Sequence, residues 1–152
     1  MGQKTHPVGF RLQINKKWKS TWFTENSFAS ELESDVKIRK YLKARLPNAG
    51  ISKVDISRTS KNITITIYTA RPGIVIGKGG EEVNRLKDEV KQLTSDPLKS
   101  GKNTKSVQIN ISEIKRPELD AALVGANIAH QLQKKVSYRR VVSKVIQSTM
   151  RM

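Results

Sequence analysis

Alternation between apolar and polar side chains predicts three β-strands in this chain. One run covers residues 63–68, where isoleucine occupies positions 63, 65 and 67, and a shorter run covers residues 54–56. The polar residues 60–62 between them offer a turn, so the two runs predict an antiparallel hairpin. A third alternating run, at residues 107–111, predicts another strand.

Apolar residues spaced three or four positions apart predict helices around these strands. The first helix is expected to start at Ser34 or Asp35, because both residue types favour helix starts, and to stop before Pro47. Pro117 is expected in the first turn of a later helix. The predicted helical segments, in chain order, are residues 34–46, 73–76, 81–93, 117–136 and 138–152.

From residue 34 the predicted order of elements is helix-strand-strand-helix-helix-strand. This order predicts an α+β fold in which helices back one small, three-stranded sheet. We divide the chain into a basic N-terminal arm at residues 1–33, a folded domain at residues 34–136 and a C-terminal segment at residues 137–152.

The balance of charges indicates a polyanionic partner. The chain has 152 residues, and its 29 lysines and arginines against 13 acids give a net charge of +16. Nucleic acid is the first candidate, because phosphates attract such a chain, and an acidic membrane surface is the alternative. No apolar run approaches the roughly 20 residues that a membrane-spanning helix needs, which argues against a membrane partner.

Residues suited to metal binding or catalysis are few. The chain has no cysteine, and its two histidines, His6 and His130, lie far apart, so we expect neither a metal site nor a cofactor. Glu81 and Glu82 are neighbours at the start of a predicted helix, where they complement the helix dipole. The sequence offers no convincing set of nucleophile, histidine and acid, and we therefore do not expect an enzyme.

The positive charge is concentrated in three segments. Residues 1–24 and 121–152 contain no acid, and the polar loop at residues 95–105 is rich in lysine. Trp18 and Trp22 in the first segment either stack on bases or dock on the protein's own surface. The candidate nucleic-acid-binding residues of these segments are Lys4, His6, Arg11, Lys16, Lys17, Lys19, Lys102, Lys105, Arg139, Arg140 and Lys144.

Gly77-Lys78-Gly79-Gly80 joins two predicted helices. Backbone N–H groups at the start of the second helix, together with Lys78, can hold an anion. A nucleotide-binding P-loop is excluded, because three residues rather than four separate Gly73 from Gly77 and a glycine stands where a hydroxyl is needed. A tight turn between helices, without a ligand, is the remaining alternative.

The same loop, preceded by Ile76 and followed by Val83, resembles the GXXG loop of KH domains. The order of elements matches the type II arrangement of that fold. In KH domains this loop clamps the backbone of about four nucleotides. The resemblance therefore adds Arg71, Gly77, Lys78, Gly79 and Gly80 to the candidate RNA-binding residues.

Several blocks resemble the N-terminal part of the family of bacterial and organellar small-subunit ribosomal protein three. They are residues 1–7, 18–22, 69–78, 109–111, 115–121, 138–140 and 148–151. The resemblance covers the whole chain and implies binding to small-subunit rRNA in the head of the subunit, near the mRNA entrance. It also implies small-subunit proteins ten and fourteen as neighbours, in a ribosome of the bacterial cytoplasm, a plastid or a mitochondrion.

Family members also contact incoming mRNA through a basic cluster. Arg139 and Arg140 fall on two positions of that cluster, whereas a third falls on Ser143, with Lys144 beside it. The loop at residues 94–106 is longer than the family norm and offers an added RNA contact.

The family has a second, C-terminal α+β domain that this sequence is expected to lack. The resemblance leaves two explanations open, a truncated chain or a separate polypeptide that supplies the domain. We expect an apolar surface that awaits this partner, formed by Val141, Val142, Val145 and Ile146. A free-standing KH-type factor that binds single-stranded RNA remains the alternative function.

Overall fold

The computed structural model describes residues 2–94 and 106–151. The helices are α1 (Pro7–Phe10), α2 (Phe28–Arg45), α3 (Pro72–Ile76), α4 (Glu81–Thr94), α5 (Ala121–Gln133) and α6 (Tyr138–Met150). The strands are β1 (Ser20–Thr21), β2 (Ile51–Arg58), β3 (Asn62–Thr69) and β4 (Ser106–Glu113). Short 3-10 turns are formed by Pro47–Ala49, Lys78–Gly80 and Pro117–Leu119.

The four strands form one sheet in the order β1-β2-β3-β4. Strands β2 and β3 are the predicted antiparallel hairpin, with Ile56 opposite Ile65. Strand β4 runs parallel to β3 because the chain returns through α3 and α4 before pairing. The predicted helix-strand-strand-helix-helix-strand order and the α+β fold class are therefore confirmed.

The sheet has one strand more than the sequence predicts. Ser20 and Thr21 of β1 pair in parallel with Ile56 and Ser57 of β2. The N–H of Ile56 also donates a hydrogen bond of 2.9 Å to the carbonyl of Lys19. A strand of two residues is too short to show any alternation, so only its partner on the folded domain reveals it.

The hydrophobic core lies on one face of the sheet, under α2 and α4. Ile63, Ile65 and Ile67 are completely buried there. Burial of such a side chain contributes about 1.5–3 kcal/mol. The helices cover these isoleucines with Ile38, Leu42, Leu86 and Val90, all fully buried.

Helix α2 begins at Phe28, six residues before the expected start. Residues 28–33 include alanine, leucine and two glutamates, which are good helix formers. Asp35, expected near the helix start, lies inside the helix and is completely buried. Its carboxylate is satisfied by donors from other parts of the chain, so it has no need to cap a helix end.

Helix α5 begins at Ala121, since Pro117 opens a separate 3-10 turn instead. Asp120 caps α5, and its Oδ1 accepts hydrogen bonds from the N–H groups of Ala122 at 3.0 Å and Leu123 at 3.2 Å. Its Oδ2 accepts a hydrogen bond of 2.7 Å from Ser52 Oγ, which attaches the helix to β2.

The apolar face expected on α6 is only partly exposed. Val141 is buried and Val145 is half-buried, because α6 packs against α5 and against the 3-10 turn that precedes α5. Val142 and Ile146 remain exposed. The chain itself therefore covers half of the surface that was expected to await a partner.

The loop predicted at residues 95–105 lies outside the described residues. In the ranges that are described, we find no helix with the length and apolar character needed to cross a membrane.

Candidate nucleic-acid interface

The glycine loop between α3 and α4 has one packed side and one open side. Gly77 adopts φ 71° and ψ −178°, a combination that is essentially restricted to glycine. A Cβ on Gly77 would lie 2.6 Å from Cγ of Glu82, so this glycine permits a close internal contact. At Gly79 and Gly80 a Cβ would meet nothing within 4 Å, which leaves the backbone there accessible to a ligand.

Carboxylates limit the positive charge around this loop. Lys78 is exposed, but Glu81 and Glu82 follow in the first turn of α4, where they occupy the favourable end of the helix dipole. Glu82 pairs with Arg45 and with Arg85, both at 3.6 Å. Lys78 is therefore the main group in the loop that attracts a phosphate.

The acidic flank of α4 faces α2. Tyr41 of α2 donates a hydrogen bond to Glu89, and burial together with this bond raises the pKa of the Tyr41 hydroxyl. At 100° per residue, Lys87 projects from the other flank of α4, on the side of Val83 and away from Glu82 and Glu89. Lys87 is thus a cation on the flank of α4 opposite these carboxylates, and the motif did not indicate it.

All the arm residues singled out in the sequence are exposed. They are Lys4, His6, Arg11, Lys16, Lys17 and Lys19. Two of them also organise the arm itself. His6 caps α1 by accepting a hydrogen bond of 3.2 Å from the Gly9 N–H, and Arg11 donates one of 2.9 Å to the Pro7 carbonyl.

The two tryptophans of the arm have different surroundings. Trp22 packs on Phe28 with ring centroids 5.4 Å apart, and its Nε1 donates a hydrogen bond of 2.8 Å to Asp35 Oδ2. Trp18 is 60% exposed. Trp22 thus docks on the protein's own surface, whereas Trp18 presents its ring outward.

The basic residues of α6 point in two directions. Arg139 and Arg140 are consecutive and so project about 100° apart. Arg139 donates a hydrogen bond of 3.1 Å to the hydroxyl of Tyr138. Arg140 and Lys144 lie four residues apart, about one turn, and share an exposed flank of the helix. The structure therefore groups Arg140 with Lys144 rather than with Arg139.

Arg71 lies at the rim of a cleft between the sheet and the C-terminal helices. The cleft has a volume of about 490 Å³ and is lined also by Asn48, His130 and Thr149. The candidates Lys102 and Lys105 lie outside the described residues. The other candidates belong to three elements, the arm, the glycine loop and α6.

Acids in the folded domain neutralise cations close to them. Lys37, Lys53, Arg58, Arg85 and Lys91 each form an ion pair with a nearby carboxylate. The first acid in the chain is Glu25 and the last is Asp120. The acid-free stretches at residues 1–24 and 121–152 contain eleven of the 29 lysines and arginines and therefore contribute more than half of the net charge of +16.

Sequence analysis missed two exposed cations on α2, Lys40 and Lys43. Their spacing relative to the buried Ile38 and Leu42 could have indicated that they face solvent. Among the residues that the structure describes, no group of three or more His, Cys, Asp and Glu side chains could hold a metal ion.

The fold and the open glycine loop define a KH domain. Residues 37–119 match the family model described as KH domain, and the chain belongs to this family. The chain is 53% identical over 151 residues to small ribosomal subunit protein uS3 of Cytophaga hutchinsonii, with 99% of the chain and 56% of that protein covered. Over 152 residues it is 53% identical to uS3 of Flavobacterium johnsoniae and 49% identical to uS3 of Salinibacter ruber, covering 57% and 61% of them.

The chain thus spans somewhat more than half the length of these relatives, and the similarity extends over almost all of its own residues. This full-length similarity confirms the resemblance to small-subunit ribosomal protein three.

Proposed function

We propose that the chain is a structural constituent of the small ribosomal subunit and binds rRNA mainly through phosphate contacts. Identity at about half the residues to bacterial uS3 proteins supports a ribosomal role. A KH domain supports RNA as the ligand class. The bacterial relatives support a place on cytoplasmic ribosomes.

The distribution of charges is the observation that carries this proposal. Several cations between residues 25 and 120 are paired with acids, while residues 1–24 and 121–152 contribute exposed cations from stretches without a single acid. Such surfaces attract a polyanion by releasing its counterions, and they do so without reading its sequence. This is the behaviour needed in a protein that binds a folded RNA through its backbone.

Four finer assignments belong to the same proposal. The arm at residues 1–33, the domain at residues 34–136 and the segment from residue 137 each contribute contacts to RNA. Arg140 and Lys144, with Arg139, contact mRNA near its entrance. Small-subunit proteins ten and fourteen are neighbours. A C-terminal domain on a separate polypeptide is a further candidate partner.

Sedimentation of a cell extract tests the ribosomal role. After a high-salt wash, the chain should remain with the small subunit on a sucrose gradient. A variant with Lys16, Lys17, Arg140 and Lys144 all changed to Gln should leave the subunit at lower salt, because it has fewer cations to bind phosphates. Recovery of the wild-type chain only at the top of the gradient would contradict the proposal.

A free-standing KH factor for single-stranded RNA is the second candidate, favoured by the open backbone at Gly79 and Gly80. Lys78→Asp/Gly79→Asp should abolish RNA binding by such a factor, whereas the proposed ribosomal protein should keep most of its affinity through the arm and α6. The matched control is Ser60→Asp/Lys61→Asp in the exposed β2–β3 turn, which makes the same charge change away from the loop.

A further inference from the structure

The buried carboxylate of Asp35 joins three separate parts of the chain. Its Oδ1 accepts a hydrogen bond of 2.8 Å from Arg58 Nε on β2. Its Oδ2 accepts hydrogen bonds from the arm, at 2.7 Å from Ser20 Oγ and at 2.8 Å from Trp22 Nε1. Because Asp35 is completely buried, its carboxylate is shielded from competing water.

Arg39, one turn further along α2, holds the same stretch of the arm. Its guanidinium donates hydrogen bonds of 2.9 Å to the Lys19 carbonyl and 3.3 Å to the Val54 carbonyl. The Lys19 carbonyl also accepts the hydrogen bond from the Ile56 N–H. The stretch from Lys19 to Trp22 is thus attached by backbone pairing and by two side chains of α2.

The arm before this attachment is organised by local contacts. The Phe10 N–H donates to the His6 carbonyl, and the Lys16 N–H donates to the Arg11 carbonyl, at 3.0 Å in both cases. The segment from His6 to Lys16 therefore has a local structure of its own. Its orientation relative to the domain depends on how the following residues are attached.

We propose that Asp35 is a positioning residue that fixes the direction in which the cationic arm meets RNA, by binding Ser20 and Trp22. This inference rests on the proposed RNA-binding function. Asp35 itself is buried and touches no RNA. Its effect on affinity passes through the exposed side chains of Arg11, Lys16 and Lys17.

The physical reason is preorganisation. A loosely attached arm loses conformational entropy when RNA orders it, and that loss weakens binding. An arm already held by Asp35 and Arg39 has lost this freedom during folding. Its charges can then bind phosphates at correct positions without a further ordering cost.

The variant Ser20→Ala/Trp22→Phe tests this inference in the full chain. It removes both arm donors to Asp35, together with the hydrogen bond that Ser20 Oγ accepts from Arg39. It keeps an aromatic ring against Phe28 and leaves the ion pair of Asp35 with Arg58 intact, so the domain can still fold. The control is Thr21→Ala/Ser57→Ala, which removes two hydroxyls from exposed residues paired across β1 and β2.

Two measurements apply to each variant: the rate of trypsin cleavage at Lys16, Lys17 and Lys19, and affinity for small-subunit rRNA over a salt series. We expect Ser20→Ala/Trp22→Phe to be cleaved faster in the arm and to bind RNA roughly three- to tenfold more weakly, with a smaller salt slope. The control should match the wild-type chain in both.

Combination with charge removal separates positioning from a general loss of stability. In a chain carrying Arg11→Gln, Lys16→Gln and Lys17→Gln, adding Ser20→Ala/Trp22→Phe should cause little further loss of affinity, because the charges that it positions are gone. Equal losses in both backgrounds, or an unchanged cleavage pattern, would overturn the inference. A wild-type chain that binds no RNA would instead overturn the proposed function, and the cleavage pattern would still decide whether Asp35 anchors the arm.

Discussion

Gly77 and Gly79 both have positive φ, but their surroundings differ. Gly79 at φ 62° has open space around it. Gly79→Ala should therefore lower the free energy of unfolding by only about 1 kcal/mol, the penalty for alanine in a left-handed backbone conformation. Gly77→Ala should cost about 2–3 kcal/mol, because its φ and ψ suit glycine alone and its new Cβ would meet Glu82. Urea unfolding of the two variants measures the difference, and equal losses would contradict the internal role of Gly77.

Replacement of the charged residue Arg58 should strongly destabilise the fold. It is 8% exposed and pairs with the buried Asp35 and with Glu31. Arg58→Met should lower the free energy of unfolding by about 3–5 kcal/mol, because a buried carboxylate then lacks its partner. Lys53→Met, which breaks the surface pair with Asp55, should cost at most about 1 kcal/mol. If denaturant titration finds similar losses of unfolding free energy for Arg58→Met and Lys53→Met, Asp35 and Arg58 are better hydrated than their burial indicates.

For single residues, the prediction from sequence was wrong about Asp35. The lysines of the arm are exposed and therefore accessible to a polyanion. Asp35 was expected near a helix start, yet its surroundings include donors 13 to 23 residues away in the sequence. A local pattern holds no information about partners so distant.

Among the elements, α5 depends on a capping carboxylate with a clear pH dependence. The hydrogen bond from Ser52 is the largest influence and lowers the pKa of Asp120 below its ordinary value of 3.8. Backbone hydrogen bonds from Leu123 and Ala122 also lower this pKa, whereas burial of the carboxyl raises it. A carboxyl with a lowered folded-state pKa stabilises the fold above its unfolded pKa. This contribution should therefore be complete near neutral pH and disappear as the pH falls below 3.8.

Comparison with Asp120→Asn measures that contribution, because Asn also caps a helix but does not titrate here. The free energy of unfolding of the wild-type chain should fall relative to Asp120→Asn between about pH 5 and about pH 2.5. Ser52→Ala should reduce this dependence, since it removes the largest influence on the carboxyl. Parallel pH profiles for wild type and Asp120→Asn would contradict the assignment.

Element prediction succeeded where the pattern was long and regular. Strands β3 and β4 follow from alternation over five residues or more, which a buried sheet face imposes, whereas β2 was predicted from the short run at residues 54–56 and the turn after it. Strand β1 was missed because its two residues owe their conformation to pairing with β2. The early start of α2 was missed because Asp35 in mid-helix resembled a capping residue.

For the whole molecule, the arrangement of charges predicts a graded response to salt. Arg140→Gln/Lys144→Gln should reduce the slope of log affinity for rRNA against log salt by about 0.7–0.9 for each phosphate that is no longer neutralised. Lys53→Gln/Lys91→Gln should change the slope little, because these lysines lie 3.0 Å from Asp55 and 3.6 Å from Asp88. Equal changes of slope in the two variants would show that RNA binding draws on net charge alone.

Sequence was sufficient to predict the KH-type order of elements, the face of each strand that enters the core, the glycine loop and the basic character of both ends. These features follow from periodicity, glycine and charge counts, all of which are local or additive. The folded structure was needed to see that Asp35 holds the arm and that α6 covers part of its own apolar face. Each of these depends on which side chains meet after folding, and contacts between distant segments are fixed by packing of the whole core rather than by any short stretch of sequence.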